Sequence, residues 1–181
     1  LAALGLALLI ALVTIRPPSP VSDEAPASDF SAERAMVDVR QIGHVVHPTG
    51  SPENDQVRET LHRRMLQLGL QVSTQTADGI YSRTAGAISG GRITNLVGVL
   101  PGEDPAAPAV MLMSHYDSAI GSPGAADDAA GVAASLEAVR VLLAQGAPRR
   151  RDLIVLITDG EEMGLLGAEA FFREHPLRAR V

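Results

Sequence analysis

Cysteine is absent from the 181 residues, which excludes disulfides, thiolate metal sites and a cysteine nucleophile. Any metal held by this chain must therefore be held by His, Asp and Glu. Lysine is absent too: all 15 basic residues are arginine, a feature of genome composition rather than of function. Positive charge is in short supply against 21 acids, giving a net charge of −6. Phosphate backbones are bound by clustered positive charge, so nucleic acid is not an expected partner. The one basic run, Arg149-Arg150-Arg151, falls between a helix end and a strand and reads as a solvated connection. No internal repeat is present. What the chain does have is 46% hydrophobic residues, enough for one domain with a sizeable core.

The apolar residues are unevenly placed. Leu1 to Ile15 is uncharged and apolar except for Thr14. A bilayer takes roughly 20 such residues, but the chain starts at Leu rather than Met, so more of the segment is expected upstream. Residues 1–15 are read as a partial transmembrane or signal-anchor segment, with the apolar region of a signal peptide as the alternative. Residues 16–30 hold four prolines and are expected to be an extended linker. Residues 31–181 should then fold on the extracytoplasmic side of a membrane, whether periplasmic, extracellular or lumenal.

Within 31–181, Ser31 can cap a helix running to about Val45. Ser51 caps a second, with Pro52 in its first turn, Val57, Leu61, Met65 and Leu68 on one face, and Gly69 as the stop. Strands are expected at Gln71–Gln75, Thr94–Leu100, Val110–Ser114 and Leu153–Thr158. The last two are continuous apolar runs suited to a sheet covered on both faces. A helix from about Asp128 to Ala144 lies between them, and another starts near Gly167. Alternating strands and helices indicate an α/β fold with a mostly parallel mixed sheet, whose active groups gather at the carboxyl ends of strands.

Two clusters sit at such ends. His115 and Asp117 follow the strand Val110–Ser114; Asp159, Glu161 and Glu162 follow Leu153–Thr158. His115 and Asp117 point to one side if the chain stays extended, so Asp117 can fix the tautomer of a metal-binding His115. Asp127-Asp128 opens a helix after a glycine-rich turn; capping explains one of these acids and leaves the other to face the strand edge. Adjacent Glu161 and Glu162 need a cation or a proton to coexist at one site. A divalent metal meets that need, one glutamate being a ligand and its neighbour free to take a proton from water. His44 and His47 form a tempting second pair, but structural roles are expected for both.

The segment HYDSAIGSPGAADDAAGVAASLEAVRVL, followed by ITDGEEMGLLGAEAF, resembles the zinc aminopeptidases of the aminopeptidase S and aminopeptidase Y type, in clan MH. The resemblance runs from about Ser31 to the end and is strongest over Val110–Phe172. It implies a three-layer zinc-exopeptidase-like fold and two zinc ions per complete site. His115 matches the ligand of one metal, Asp127 the bridge between both and Glu162 the ligand of the second. Glu161 matches the general base and Asp117 the partner that orients His115. The resemblance further implies a cis peptide between Asp127 and Asp128, with Asp128 not a ligand. The family's second aspartate and second histidine ligands lie downstream of the Glu-Glu pair. His175 is too close to Glu162 to be that histidine, so the chain is expected to be an N-terminal fragment.

The implied activity is hydrolysis of N-terminal peptide bonds of a peptide or protein, with water activated between the metals and Glu161 as base. Glutaminyl cyclases share similar HYDS and DGEE stretches but use one zinc and a longer spacing to the aspartate. Carboxypeptidase-like deacylases place the bridging aspartate farther from the histidine. A third alternative is a membrane-anchored ectodomain that keeps the fold without catalysis; intact His115, Asp127, Glu161 and Glu162 argue against it. Oligomeric state and side-chain preference leave no mark in the sequence.

Overall fold

The computed structural model describes residues 1–82, 86 and 88–181. Helix α1 spans Ala2–Thr14 with every residue exposed. No helix among the described residues is long and apolar enough to cross a membrane.

Helix α2, Ala32–Ile42, starts where the Ser31 hydroxyl accepts the Arg34 N–H at 3.1 Å, and it buries Ala35, Val39 and Ile42. Helix α3, Pro52–Gln67, starts in the same way at Ser51 and buries Val57, Leu61 and Met65. It ends at Gly69, whose φ of +80° a side chain would resist. Strands β1, Gln71–Ser82, and β2, Ile88–Leu100, pair antiparallel along their whole lengths. Both run further than their apolar stretches: beyond Thr76 and before Thr94 they form a two-stranded ribbon with Ile80 and Ile88 exposed. Ladder hydrogen bonds hold that ribbon together with a small cluster of Ala77 and Ile93 against Leu166 and Ala170.

Strand β3, Val110–His115, and strand β4, Leu153–Thr158, lie parallel, joined through helix α4, Ala130–Gln145. The sheet order is β1-β2-β4-β3, so the expected mixed α/β sheet is present with β4 inside it, but among the described strands only β3 and β4 pair parallel, whereas a mostly parallel sheet was expected. All six residues of β4 are buried. Val155 and Ile157 face a core with Ile42, Leu61, Met65, Val132 and Leu136 from α2, α3 and α4. Ile154 and Leu156 face the opposite core with Phe171 of helix α5, Leu166–Glu174. A sheet covered on both faces keeps water from its strands and leaves their carboxyl ends as the accessible edge. The chain closes on a 3-10 turn, Pro176–Arg180.

Two local departures from the sequence reading matter. Helix α4 begins at Ala130 rather than Asp128, because Asp128 acts as its cap: its Oδ1 accepts the Gly131 N–H at 3.0 Å. A side chain at position 131 would collide with that carboxylate. The second half of the proline-rich segment is docked rather than free. Arg34 donates to the carbonyls of Ala25 and Asp29, both at 2.8 Å, and Arg140 to those of Ala27 at 2.6 Å and Asp29 at 2.9 Å. Both guanidinium groups are held by buried Glu137.

Candidate metal centre

The parallel pair β3 and β4 delivers the chemistry. At the end of β3 the His115 ring is 7% exposed, and the ring is fixed from both sides. Its Nδ1 lies 3.0 Å from the Asp117 carbonyl oxygen and 3.4 Å from Asp117 Oδ1. Its Nε2 lies 3.1 Å from Asp127 Oδ1 and 3.8 Å from Glu161 Oε2. Asp127 reaches it from the irregular turn Ala125–Ala129 ahead of α4, where the Asp127–Asp128 peptide is cis. Its carboxylate is otherwise open, with the side chain 82% exposed.

Asp117 is the hub. Buried at 1% exposure, its carboxylate faces His115 and also accepts the backbone N–H of Glu161 at 3.0 Å and of Glu162 at 3.1 Å. One carboxylate thus sets the ring of β3's histidine and the turn that follows β4. Burial works against its charge, but the bonds from His115 and the two amides hold its pKa below the ordinary carboxylate value.

Charge in the site is coupled. Burial raises the pKa of Glu161; His115 lowers it, and the charges of Glu162, Asp117 and Asp127 raise it again. Burial disfavours protonated His115, yet the hydrogen bond and charge of Asp117, the hydrogen bond of Asp127 and the charge of Glu161 lift it to about 9. The folded state therefore holds the proton more tightly than the unfolded chain, whose imidazole has the ordinary value of 6.5. Its contribution to stability is complete below pH 6.5 and is lost as pH rises through about 9. Chelator-treated protein should show a falling thermal midpoint across that window, and His115→Gln should lack this component. Identical pH profiles for the two proteins would contradict the coupling.

The donor chemistry fits zinc. An imidazole nitrogen has its partner nitrogen anchored, and a largely free carboxylate stands against it. The set is not closed, however: among the described residues no group of three or more His, Asp and Glu side chains is gathered to hold a cation. His115 and Asp127 are brought together, Glu161 stands beside them, and Glu162 is exposed. It lines a cavity of about 440 Å³ with Pro48, Ala119, Ile120 and Met163. Asp128 points away from Nε2; it caps α4 and accepts the His115 N–H at 3.2 Å. His44 and His47 keep to the frame. Buried His47 binds the Ser118 hydroxyl through its backbone N–H at 2.8 Å, and its Nδ1 lies 2.6 Å from the Val45 carbonyl. Exposed His44 contacts the Gln41 carbonyl at 2.7 Å.

Asp159 is the residue whose position the sequence left without a role. It is 2% exposed and turned inward, accepting the Thr94 N–H at 3.0 Å and the Thr49 hydroxyl at 3.0 Å. Thr49 had no signal of its own. The usable clue was indirect, since two buried acids close in space require donors from somewhere.

A mixed four-stranded sheet flanked by helices, with a histidine and carboxylates at the carboxyl ends of two parallel strands, matches the fold of zinc aminopeptidase- and glutaminyl cyclase-like structures. Solved structures agree on that fold. An aminopeptidase from Aneurinibacillus sp. strain AM-1 superposes with a TM-score of 0.71 at 13% identity, covering 88% of this chain and 70% of that one. A glutaminyl cyclase from Porphyromonas gingivalis gives a TM-score of 0.69 at 22% identity, covering 81% of this chain and 54% of that one. Residues 95–181 match the model of Peptidase family M28. Among curated proteins, a vacuolar membrane protease of Candida albicans (strain WO-1) is 33% identical over 156 residues, which are 84% of this chain and 18% of the relative. Another, from Yarrowia lipolytica, is 29% identical over 197 residues, covering 98% of this chain and 19% of the relative. The chain thus spans about a fifth of the length of these curated relatives.

Proposed function

We propose that this chain carries the first part of a zinc aminopeptidase site, which hydrolyses the N-terminal peptide bond of peptides or proteins. The observation that supports it best is the Asp117 carboxylate, which fixes the Nδ1 side of His115 and both amides of the Glu161-Glu162 pair. His115, Asp127 and Glu162 would hold zinc, two ions in the complete site. Bound there, zinc supplies Lewis acidity toward the scissile carbonyl. The chain's own part in the reaction falls to Glu161. As water's oxygen bonds to the carbonyl carbon, the Glu161 carboxylate takes a proton from it; as the C–N bond breaks, Glu161 gives that proton to the departing amine.

The names of the curated relatives favour protein cleavage over cyclisation, since the fold is equally close to glutaminyl cyclases. The same names, with exposed apolar α1, support a membrane anchor at residues 1–15 and an extracytoplasmic peptidase domain. The full-length protein should lose hydrolysis of a free-amine leucyl anilide on chelation and regain it with zinc, two ions bound per chain. An N-acetylated substrate should not be cleaved. Activity that survives chelation would remove the metallopeptidase reading; one zinc per chain with cyclisation of N-terminal glutamine would favour the cyclase.

A further inference from the structure

Thr49 lies in the loop between α2 and α3, far in sequence from the site, yet its hydroxyl stands between the two most buried acids there. It is 3.3 Å from Asp117 Oδ2 and 3.0 Å from Asp159 Oδ1. The segment around it is clamped on both sides. His47 and Ser118 clasp each other through His47 N–H to the Ser118 hydroxyl at 2.8 Å and Ser118 N–H to the His47 carbonyl at 3.2 Å. Asn54, in the first turn of α3, reaches the His47 carbonyl at 3.4 Å and Asp159 Oδ1 at 3.5 Å. Residues 47–54 therefore bind the loop after β3 at one point and the turn after β4 at another.

A purely packing role would explain a small polar residue here, since buried carboxylates need donors. The placement of the hydroxyl says more. Donors that come from a single turn hold a carboxylate only as firmly as that turn is itself held. The Glu161 and Glu162 amides take one oxygen each of Asp117, both from the turn after β4. The Thr49 hydroxyl approaches from a different segment, its one proton shared between Asp117 and the nearer Asp159, and Asp159 is held in turn by the Thr94 N–H. We propose that Thr49 is a positioning residue. Its hydroxyl sets the plane of the Asp117 carboxylate, and through it the ring of His115 and the turn carrying Glu161 and Glu162. The effect on zinc and turnover rests on the metallopeptidase reading; the effect on the turn does not.

The test compares full-length wild type with Thr49→Val, which keeps the shape and removes the donor, and Thr49→Ser, which restores it. Three readouts are taken: zinc affinity by chelator competition, kcat and KM on a free-amine substrate, and hydrogen exchange at the Glu161 and Glu162 amides. Thr49→Val should weaken zinc binding by roughly tenfold, the range seen for residues that orient metal ligands. It should also lower kcat with KM nearly unchanged and quicken exchange at both amides; Thr49→Ser should return all three toward wild type. A Thr49→Val protein that melts earlier but keeps wild-type zinc affinity and exchange would overturn the proposal. So would an unfolded Thr49→Val beside a Thr49→Ala protein that folds and keeps both. If wild type neither binds zinc nor cleaves peptide, the metallopeptidase reading falls, and the exchange comparison alone decides the role of Thr49.

Discussion

Glu161→Gln should retain zinc and lose activity by about a hundred- to ten-thousandfold, the usual worth of a positioned general base. The substitution is nearly isosteric, and the Glu161 side chain is 36% exposed, so it need not disturb the core. It leaves the backbone N–H that Asp117 accepts, and with it the turn. What it removes is the ability to take a proton. It also removes one negative charge from a crowded set. Glu162, Asp117 and Asp127 raise the pKa of Glu161 through their charges while His115 lowers it, so a neutral residue there removes repulsion and attraction together. Stability should therefore be little changed while turnover collapses, a combination that general damage to the fold would not produce. Thermal unfolding, zinc content and kcat measured on one preparation check this. Wild-type turnover in Glu161→Gln would take the base role from Glu161.

The parts of the fold that were legible in the sequence are those whose cause is local. Helix α3 was marked by Ser51, Pro52 and the spacing of Val57, Leu61 and Met65, and each of these lies where that pattern places it. Strand β4 was legible because an unbroken apolar run suits a strand covered on both faces. The outer ribbon of β1 and β2 was not, since Ile80 and Ile88 are exposed and the residues it packs on, Leu166, Ala170 and Met163, come from a distant part of the chain. The docking of residues 25–29 was equally hidden: it uses backbone carbonyls, which carry no sequence signal, and an arginine on α4. In the site, the places of His115, Asp117 and Glu161 were read from motifs at strand ends, and that of Asp127 from the opening of a helix. Their mutual reach depends on the register of β3 against β4, with His115 opposite Thr158. Thr49 joined only when the loop after α2 folded over that edge onto Asp159.

Asp117→Ala should be the most damaging single change in this region. The carboxylate is buried and accepts from Glu161, Glu162 and Thr49 while facing His115. Its loss strands several buried donors at once, each worth about 1–3 kcal/mol when unpaired. Water entering the vacated space would satisfy some of them, so a net loss of about 3 kcal/mol is expected rather than the sum. Zinc affinity should fall by a further 10- to 100-fold, roughly the cost of losing a ligand's orienting partner. Asp117→Asn separates the causes. It fills the same space and keeps one acceptor oxygen, but the Glu161 and Glu162 amides need one on each side. The amide nitrogen of an asparagine would meet one of those N–H groups donor to donor. Asp117→Asn should thus unfold closer to wild type than Asp117→Ala and still bind zinc weakly. If it melts and binds zinc like wild type, Asp117 acts by filling space, and its carboxylate does not organise the site.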